Sequence, residues 1–282
     1  MPNQLILPSL FRAPTKANGG VSSGAIAVFP CRHSNSTTVL ANIADPLVTG
    51  EAGAAFVPAT AFASAEGLLT ADAASTDTTM RLSLANFTYS YNNSDSLLIA
   101  TRIKITSSLP AATKPIWAQG GNNSTAPGWS LRCKTTGALF LQYDHAGGSG
   151  YLSDTNAAGP ANDGLLTAAT WHHVVAALWD MNAAAGTGKY GIWINGVRAF
   201  TTTDKSMSSM PATITPTEAL RIGQYYRTSG PTTLSIGATQ SDFHVYRAPQ
   251  AVAWTQTKLD ALANRLYRDP TRPLTPTEWP MS

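Results

Sequence analysis

The sequence predicts a mainly β fold in which two antiparallel sheets stack as a sandwich. About ten short segments alternate apolar and polar residues, which is the period of a half-buried strand. Clusters of Gly, Pro, Asn and Ser separate these segments at intervals typical of turns. One segment near the end of the chain has a helical period, and no second one follows a strand, so βαβ units are not expected.

The predicted strands follow one another from about residue 80 onward. In the segment 96–106, apolar residues alternate with residues that include Arg102 and Lys104, so one face should be buried and the other should meet solvent. The segment 171–180 is apolar on both faces, which suits a central strand. Further strands are predicted at 80–87, 115–120, 128–135, 137–144, 219–226 and 241–247.

A tight hairpin is predicted within residues 189–200. Apolar residues alternate on both sides of the dipeptide Asn195-Gly196. Asn and Gly tolerate the positive φ that both central residues of a type I′ turn require, and the twist of that turn matches the flanking strands.

The predicted helix covers about residues 257–268. Thr257 is placed to cap its start, with Asp260 three residues on in the position of a capping box. Asp269 should end the helix, because a residue that precedes proline avoids the helical region. One apolar stripe is formed by Leu259, Leu262, Ala263, Leu266 and Tyr267.

The proline-rich ends divide the chain into three predicted parts. Residues 1–30 should form an extended arm, since proline lacks a backbone donor and fixes φ. Residues 31–269 form the sandwich domain, and residues 270–282 form a tail. The apolar residues of the arm need cover from a partner or from their own domain, and the pattern leaves both open. The candidate assembly anchors are Leu5, Leu7, Leu10, Phe11 and Trp279.

The composition excludes several classes of protein. Charged residues are 12% of the chain and its net charge is +3, whereas coiled coils and charge-rich bundles need charged outer faces. No cluster of Lys or Arg indicates a nucleic-acid groove. No apolar run reaches the roughly 18 residues of a membrane span. The N-terminus lacks the features of a secretory signal, so synthesis in the cytoplasm without export is expected.

The cysteines and histidines do not form a metal motif. Cys31 and Cys133 lie far apart, and two buried free thiols are favoured over a disulfide, although pairing stays open. His172 and His173 are neighbours on a predicted strand and point to opposite faces, so they cannot bind one ion. One of them should make a hydrogen bond in the core. We therefore predict neither a metal of this kind nor a cofactor.

The order of the later segments resembles the laminin-G-like, concanavalin-A-like jelly-roll domains. The features that carry the resemblance are a Trp-His-His strand at 170–180, the Asn-Gly hairpin at 188–200, an Ile-Gly strand at 219–226, and a last strand and helix at 241–270. The resemblance implies a two-sheet antiparallel jelly roll with one short C-terminal helix. The ending Arg-Asp-Pro-Thr-Arg-Pro, the low charge and the proline-rich arm are similar to those of bacteriophage virion proteins.

This resemblance implies a non-enzymatic virion structural protein, such as a capsid decoration protein or a component of a head, tail fibre or spike. Its arm would bind other virion proteins, and its jelly roll would be displayed. It also implies a homo-oligomer, for which a trimer is frequent in such particles. The alternatives are a carbohydrate-binding adhesin that recognises a host-surface glycan and, further off, a glycoside hydrolase.

A candidate carbohydrate site lies near the loops that join neighbouring strands. Aromatic rings stack on sugars, and Asp and His bind hydroxyl groups. The alternative reading is that Trp129 and Tyr143 are ordinary aromatic residues of the sandwich. The candidate residues are Trp129, Tyr143, Asp144, His145 and Tyr151.

A calcium site and a glycosidase site each need a particular set of oxygen ligands or carboxylates. Calcium takes six to eight oxygen ligands at about 2.4 Å, which Asp144, Asp154, Asn156 and Asp163 offer without a tight motif. A retaining glycosidase needs two carboxylates about 5 Å apart. The glutamates lie far from one another in the sequence, at Glu51, Glu66, Glu218 and Glu278. We therefore predict that the protein is not an enzyme.

Overall fold

The computed structural model describes the chain in separate ranges. These ranges are 25–29, 39–40, 50–52, 68–70, 82–84, 96–119, 128–145, 148–154, 165–182, 187–199, 205–207, 220–223, 236–248, 252–275 and 277–279. Their strands are β1 (Ala25–Phe29), β2 (Val39–Leu40), β3 (Gly50–Ala52), β4 (Leu68–Thr70), β5 (Leu82–Leu84), β6 (Ser96–Ile105), β7 (Lys114–Gln119), β8 (Gly128–Cys133), β9 (Leu139–His145), β10 (Gly148–Asp154), β11 (Trp171–Asn182), β12 (Thr187–Ile194), β13 (Val197–Arg198), β14 (Lys205–Met207), β15 (Leu220–Ile222) and β16 (Ala238–Ala248). The helix α1 covers Gln256–Arg268.

The strands form two antiparallel sheets, as predicted. The first sheet has the order β1-β16-β6-β11-β12-β13, with β4 paired to β16 and β14 paired to β12. The second sheet has the order β10-β9-β8-β7-β15-β5-β3-β2. The mainly β, jelly-roll class is thereby confirmed, since neighbours in space are often distant in sequence, as in β16 beside β6.

The main core lies between the two sheets. It takes alternate residues of each strand, because successive side chains of a strand point to opposite faces. The first sheet contributes residues such as Ile99 and Val174, and the second contributes residues such as Trp117 and Leu131. Burial of this apolar area supplies the main free energy that holds the sheets together.

A second apolar core covers part of the outer face of the first sheet. Leu98 and Ala100 of β6 are fully buried there beneath α1 and the C-terminal tail. The prediction that one side of β6 faces solvent is therefore wrong for its first half, which includes Leu98 and Ala100. It agrees better with the second half, where Arg102 and Lys104 are partly exposed. The sequence pattern could not show the difference, because the covering residues of the helix and the tail lie about 160 to 180 positions further along the chain.

The second core is built largely from tryptophan. Trp254 stacks on Trp279 with ring centroids 4.1 Å apart, and Tyr246 contacts Trp279 from β16. Trp193 folds back over Gly191, where an added Cβ would lie only 2.5 Å from the indole ring. A glycine is needed at residue 191 because the large ring occupies the place of a side chain.

The predicted hairpin is confirmed. Asn195 and Gly196 join β12 to β13 with φ values of 53° and 77°, as a type I′ turn requires. Asn195 Oδ1 also accepts a 2.9 Å hydrogen bond from the backbone N–H of His173. The turn lies against α1, since a Cβ at residue 196 would be 3.1 Å from the Asn264 backbone.

The helix is confirmed, but its predicted cap is wrong. Thr255 is the N-cap, and its side chain accepts a 3.3 Å hydrogen bond from the N–H of Lys258. Thr257 lies within the first turn. Asp260 instead accepts a 2.7 Å hydrogen bond from the Trp193 indole of the sheet. A tertiary contact therefore uses the carboxylate that the local pattern assigned to a capping box.

The described parts of the two ends both belong to the sandwich. Ala25–Phe29, which the prediction placed in the arm, pairs with β16 as the outermost strand of the first sheet. The rest of the predicted arm lies outside the described residues. In the predicted tail, Leu274 and Trp279 are buried in the second core. The sandwich therefore includes residues beyond the predicted boundaries of 31–269.

Candidate functional site

The predicted carbohydrate site is not supported at its central aromatic residue. Trp129 of β8 is 1% exposed and packs in the core between the sheets. A buried ring has no face open to a sugar, so its proposed stacking role is wrong and the alternative reading, a sandwich aromatic, is correct.

The backbone register nevertheless brings the other candidates close together. Across β8 and β9, Tyr143 pairs with Trp129. Across β9 and β10, Asp144 pairs with Ser149 and His145 pairs with Gly148, while Tyr151 pairs with Gln142. The side chains of Tyr143, Asp144, His145 and Tyr151 lie outside the described part of the structure, and their roles stay predictions.

The outer face of β8 and β9 is also buried. Ser130, Arg132 and Gln142 alternate with the core residues and are almost inaccessible to solvent. The Arg132 guanidinium donates a 2.9 Å hydrogen bond to the Ser130 hydroxyl. Neither face of these strands therefore offers an open surface at this point.

The register separates two of the four predicted calcium ligands. Asp144 pairs with Ser149, whereas Asp154 pairs with Phe140, four residues further along β9. Four residues of a strand span about 13 Å, which is too far for two short carboxylate side chains to bind one ion. Asn156 and Asp163 lie outside the described residues. Within the described ranges, no three His, Cys, Asp or Glu side chains are grouped as a metal site would need.

The two neighbouring histidines lie on opposite faces of β11, as predicted. His172 faces the main core, and its Nε2 accepts a 3.0 Å hydrogen bond from the backbone N–H of Thr167. Burial lowers the pKa of His172. His173 faces outward beneath α1, with its ring centroid 6.2 Å from that of Tyr267. Burial, with the charges of His244 and Arg102 as smaller causes, lowers the pKa of His173 to about 3.

The cysteine prediction is tested at one position. Cys133 is a free, buried thiol, and burial raises its pKa to about 12. A thiol with so high a pKa is a poor nucleophile at neutral pH. Cys31 lies outside the described residues.

Of the predicted assembly anchors, Trp279 has a different role. It is 0% exposed and stacks in the second core of its own domain. It cannot insert into a partner without unfolding the tail, so this prediction is wrong. Leu5, Leu7, Leu10 and Phe11 lie outside the described residues.

The structure assembles one surface cluster that the sequence analysis did not identify. We call it the Trp171 patch, and it lies on the outer face of the first sheet where α1 ends. The Arg102 guanidinium lies 4.9 Å and the Lys104 ammonium 5.2 Å from the centroid of the Trp171 ring. The patch consists of Arg102, Lys104, Trp171, His173 and Tyr267.

Strand pairing explains why these residues meet. Lys104 lies directly opposite Trp171, and Arg102 lies directly opposite His173, across β6 and β11. Alternation had placed Arg102 and Lys104 on one face, but it could not show which residue of a distant strand would lie beside them.

Asp242 supports the patch from the neighbouring strand. It occupies a β-bulge of β16 with φ of 50°, and its carboxylate lies 3.7 Å from the Arg102 guanidinium. The Ser241 hydroxyl donates a 3.2 Å hydrogen bond to the same carboxylate. The side chain of Asp242 is 0% exposed, whereas that of Arg102 is 28% exposed. The bulge thus directs a buried negative charge toward a solvent-accessible arginine.

No helix among the described residues combines the length and apolar character needed to cross a bilayer.

Comparison with known proteins supports the fold assignment. No protein-family model and no curated sequence matches the chain. The botulinum neurotoxin serotype D binding domain has a TM-score of 0.52 at 12% identity, over 88% of this chain and 51% of that chain. The binding domain of Paraclostridial Mosquitocidal Protein 1 has a TM-score of 0.51 at 11% identity, over 86% of this chain and 51% of that chain.

A heptameric SAP-like pentraxin from Limulus polyphemus is more distant in structure, with a TM-score of 0.42 at 16% identity over 66% of this chain and 75% of that chain. The chain spans about half the length of the two toxin binding domains. At this level of identity the two toxin comparisons establish a shared architecture: this chain has a concanavalin-A-like jelly-roll sandwich.

Proposed function

We propose that the protein is a non-enzymatic structural protein of a bacteriophage particle. Its sandwich is displayed, and the N-terminal residues before β1 anchor it to other virion proteins or to copies of itself. The observation that carries this proposal is the position of β1. Among the described strands it stands at the edge of the first sheet and pairs with β16.

An edge strand is well placed to lead into an anchor. β1 begins at the margin of a sheet, a position from which a preceding segment could reach a neighbour without crossing the core. The tail is less suitable for this role, because Leu274 and Trp279 already pack in the second core. The N-terminal segment is therefore the better candidate anchor.

The chemistry of the proposed anchor is apolar burial. Leu5, Leu7, Leu10 and Phe11 would lose water on contact with a partner, at about 25 cal/mol for each Å² of apolar area. The cost of ordering the segment reduces this gain. The low content of charged residues, 12%, suits contacts of a permanent assembly.

The experiment is a deletion of residues 1–24, which keeps β1 and its pairing with β16. Loss of incorporation into particles, or a drop in oligomer mass by light scattering, is expected. A matched variant replaces Leu5, Leu7, Leu10 and Phe11 with Ser and keeps the full length. Replacing Thr15 and Asn18 with Ser is the control and should leave assembly unchanged. Normal incorporation and normal oligomer mass of the deletion variant would refute the anchor.

A further inference from the structure

We propose that the Trp171 patch binds a carbohydrate that carries a carboxylate group, as a uronic-acid polysaccharide does. The inference is independent of the arm, because the patch lies on the folded sandwich. Binding can fail while arm-dependent assembly persists, and the reverse is also true.

Arg102 supplies the group that would bind the carboxylate. Its guanidinium is partly exposed and lies 3.7 Å from Asp242, which is longer than a hydrogen bond. Among the described residues it donates no side-chain hydrogen bond. Arginine has five N–H donors in a planar fork that matches a carboxylate. Donors are therefore available for a ligand, and the buried Asp242 holds the fork in place.

The arrangement of Lys104 around Trp171 also favours an anionic ligand at the patch. The two cationic groups, of Arg102 and Lys104, both lie about 5 Å from the centroid of one ring and so within about 10 Å of each other. Like charges at this separation repel each other. A carboxylate close to either cation gains a Coulombic attraction that a neutral ligand lacks.

His173 lies buried beneath the patch. It is 3% exposed, and neither ring nitrogen has a hydrogen-bond partner in the described structure. Buried polar groups are nearly always satisfied, so an unsatisfied one needs a physical reason. The His173 nitrogens are not open to solvent, so the contacts to a ligand would come from the partly or fully exposed side chains of Arg102, Lys104, Trp171 and Tyr267.

The position of the patch favours a saccharide over an acidic peptide. It lies on the face of the sheet, where β6 is paired on both sides by β16 and β11. A peptide that adds as a strand needs a free sheet edge, and none is present at β6. Tyr267 is 45% exposed on α1 and Trp171 is partly exposed on β11, and such ring surfaces suit a ligand recognised by its rings and hydroxyls.

Binding is tested by titration calorimetry of the full chain with polygalacturonate. The matched ligand is the methyl-esterified polymer, which keeps the hydroxyls and loses the negative charge. We expect polygalacturonate to bind at least about tenfold more tightly, because a charged hydrogen-bond partner is removed by the ester. Equal binding of the two polymers, or no binding of either, overturns the proposal.

Two variants locate the site. Arg102→Gln combined with Asp242→Asn removes the guanidinium without leaving a buried charge unpaired, and Trp171→Ala removes the ring. Each should weaken polygalacturonate binding about tenfold or more while the thermal melting curve remains cooperative. If Trp171→Ala does not fold, Lys104→Gln serves instead.

Lys258→Gln is the control, because it removes one positive charge at the far end of α1, where the ammonium bonds to the Ala253 carbonyl. It should bind as the parent does. Unchanged binding of the patch variants, or equal weakening by the control, contradicts the proposal. Poly-glutamate that binds as tightly as polygalacturonate would also refute it and indicate an acidic peptide.

Discussion

His173 and His244 both lie on the outer face of the first sheet. Within the described residues, the ring of His244 makes hydrogen bonds and that of His173 makes none. The ring of His244 lies 2.8 Å from the Tyr246 hydroxyl at Nδ1 and 2.7 Å from the Pro270 carbonyl at Nε2. Because the carbonyl can only accept, Nε2 carries the proton, and Nδ1 accepts from the tyrosine. The tyrosine oxygen in turn accepts the N–H of Leu274 at 2.9 Å. This chain of bonds ties the tail to β16 and requires a neutral imidazole.

The first prediction concerns stability at acid pH. Burial is the main cause that lowers the pKa of His244 to about 4 and that of His173 to about 3. A lowered folded pKa means that the stabilisation is complete above the unfolded value of about 6.5 and is lost as pH falls toward 4. We expect the free energy of unfolding to fall by about 1.4 kcal/mol per pH unit for each histidine in this range. Urea denaturation at pH 7, 5.5 and 4.5 measures it.

Substitution of each histidine shows how much it contributes to the loss of stability at acid pH. His173 faces Arg102, His244 and Tyr267, and His244 faces Arg265, Asp269 and Tyr246. His173→Phe should reduce the slope by the share of one histidine, and at pH 7 it should cost little, because an unsatisfied polar ring is replaced by an apolar one. A slope that is unchanged in both His173→Phe and His244→Gln would contradict the assignment.

The helix α1 shows how a local pattern can be right about an element and wrong about its first residue. Its apolar stripe is confirmed at Leu259, Leu262, Ala263 and Leu266, which are buried, whereas Tyr267, the fifth predicted member, is 45% exposed. The spacing of Thr257 to Asp260 predicts a cap at Thr257. The structure places the N-cap at Thr255, whose backbone is extended with φ of −119° and ψ of 153°. Asp260 is held by Trp193 instead.

The second prediction compares the two threonines. Thr255→Ala should lower the free energy of unfolding by about 1 kcal/mol, because the N–H of Lys258 loses its acceptor. Thr257→Ala lies on the exposed side of the first turn and should change stability by less than about 0.5 kcal/mol. Chemical denaturation of the two variants is the measurement. A larger loss for Thr257→Ala than for Thr255→Ala would show that the helix starts as the sequence pattern indicated.

The described residues form three layers: the second sheet, the first sheet, and a partial cover of helix and tail. An ion pair and hydrogen bonds hold the cover in place, in addition to the stacking of the tryptophan rings. The Arg265 guanidinium lies 3.0 Å from the Glu278 carboxylate and donates to the Arg272 and Pro273 carbonyls. Burial alone would raise the pKa of Glu278. Hydrogen bonds from Thr275 and the charge of Arg265 outweigh it, so the pKa of Glu278 is lowered. The tail is therefore a structural part of the domain.

The third prediction tests this role of the tail. Trp279→Ala should destabilise the domain by about 3–5 kcal/mol, since it empties a fully buried site. Trp279→Phe should cost less because it keeps a ring against Trp254. Val197→Ala, at a residue 67% exposed, is the control, with an expected change within about 0.5 kcal/mol. Urea denaturation followed by circular dichroism gives the values. A loss below about 1 kcal/mol for Trp279→Ala would mean that the tail is not part of the cooperative unit.

Strands such as β6, β8, β9 and β11, the Asn195-Gly196 turn and the amphipathic helix could be predicted from the sequence, because each depends on residues close together in the chain. The strand β1 was predicted as part of the arm, because its partner β16 lies about 215 residues further along the chain. The sites could not. Trp129 has the same local pattern whether it stacks on a sugar or fills a core, and its burial depends on the opposite sheet. Trp171 joins Arg102 and Lys104 only through the pairing of β6 with β11, and Trp279 is covered only because the tail returns to β16. Such contacts join residues far apart in the chain, and local periodicity contains no information about which distant partner a side chain meets.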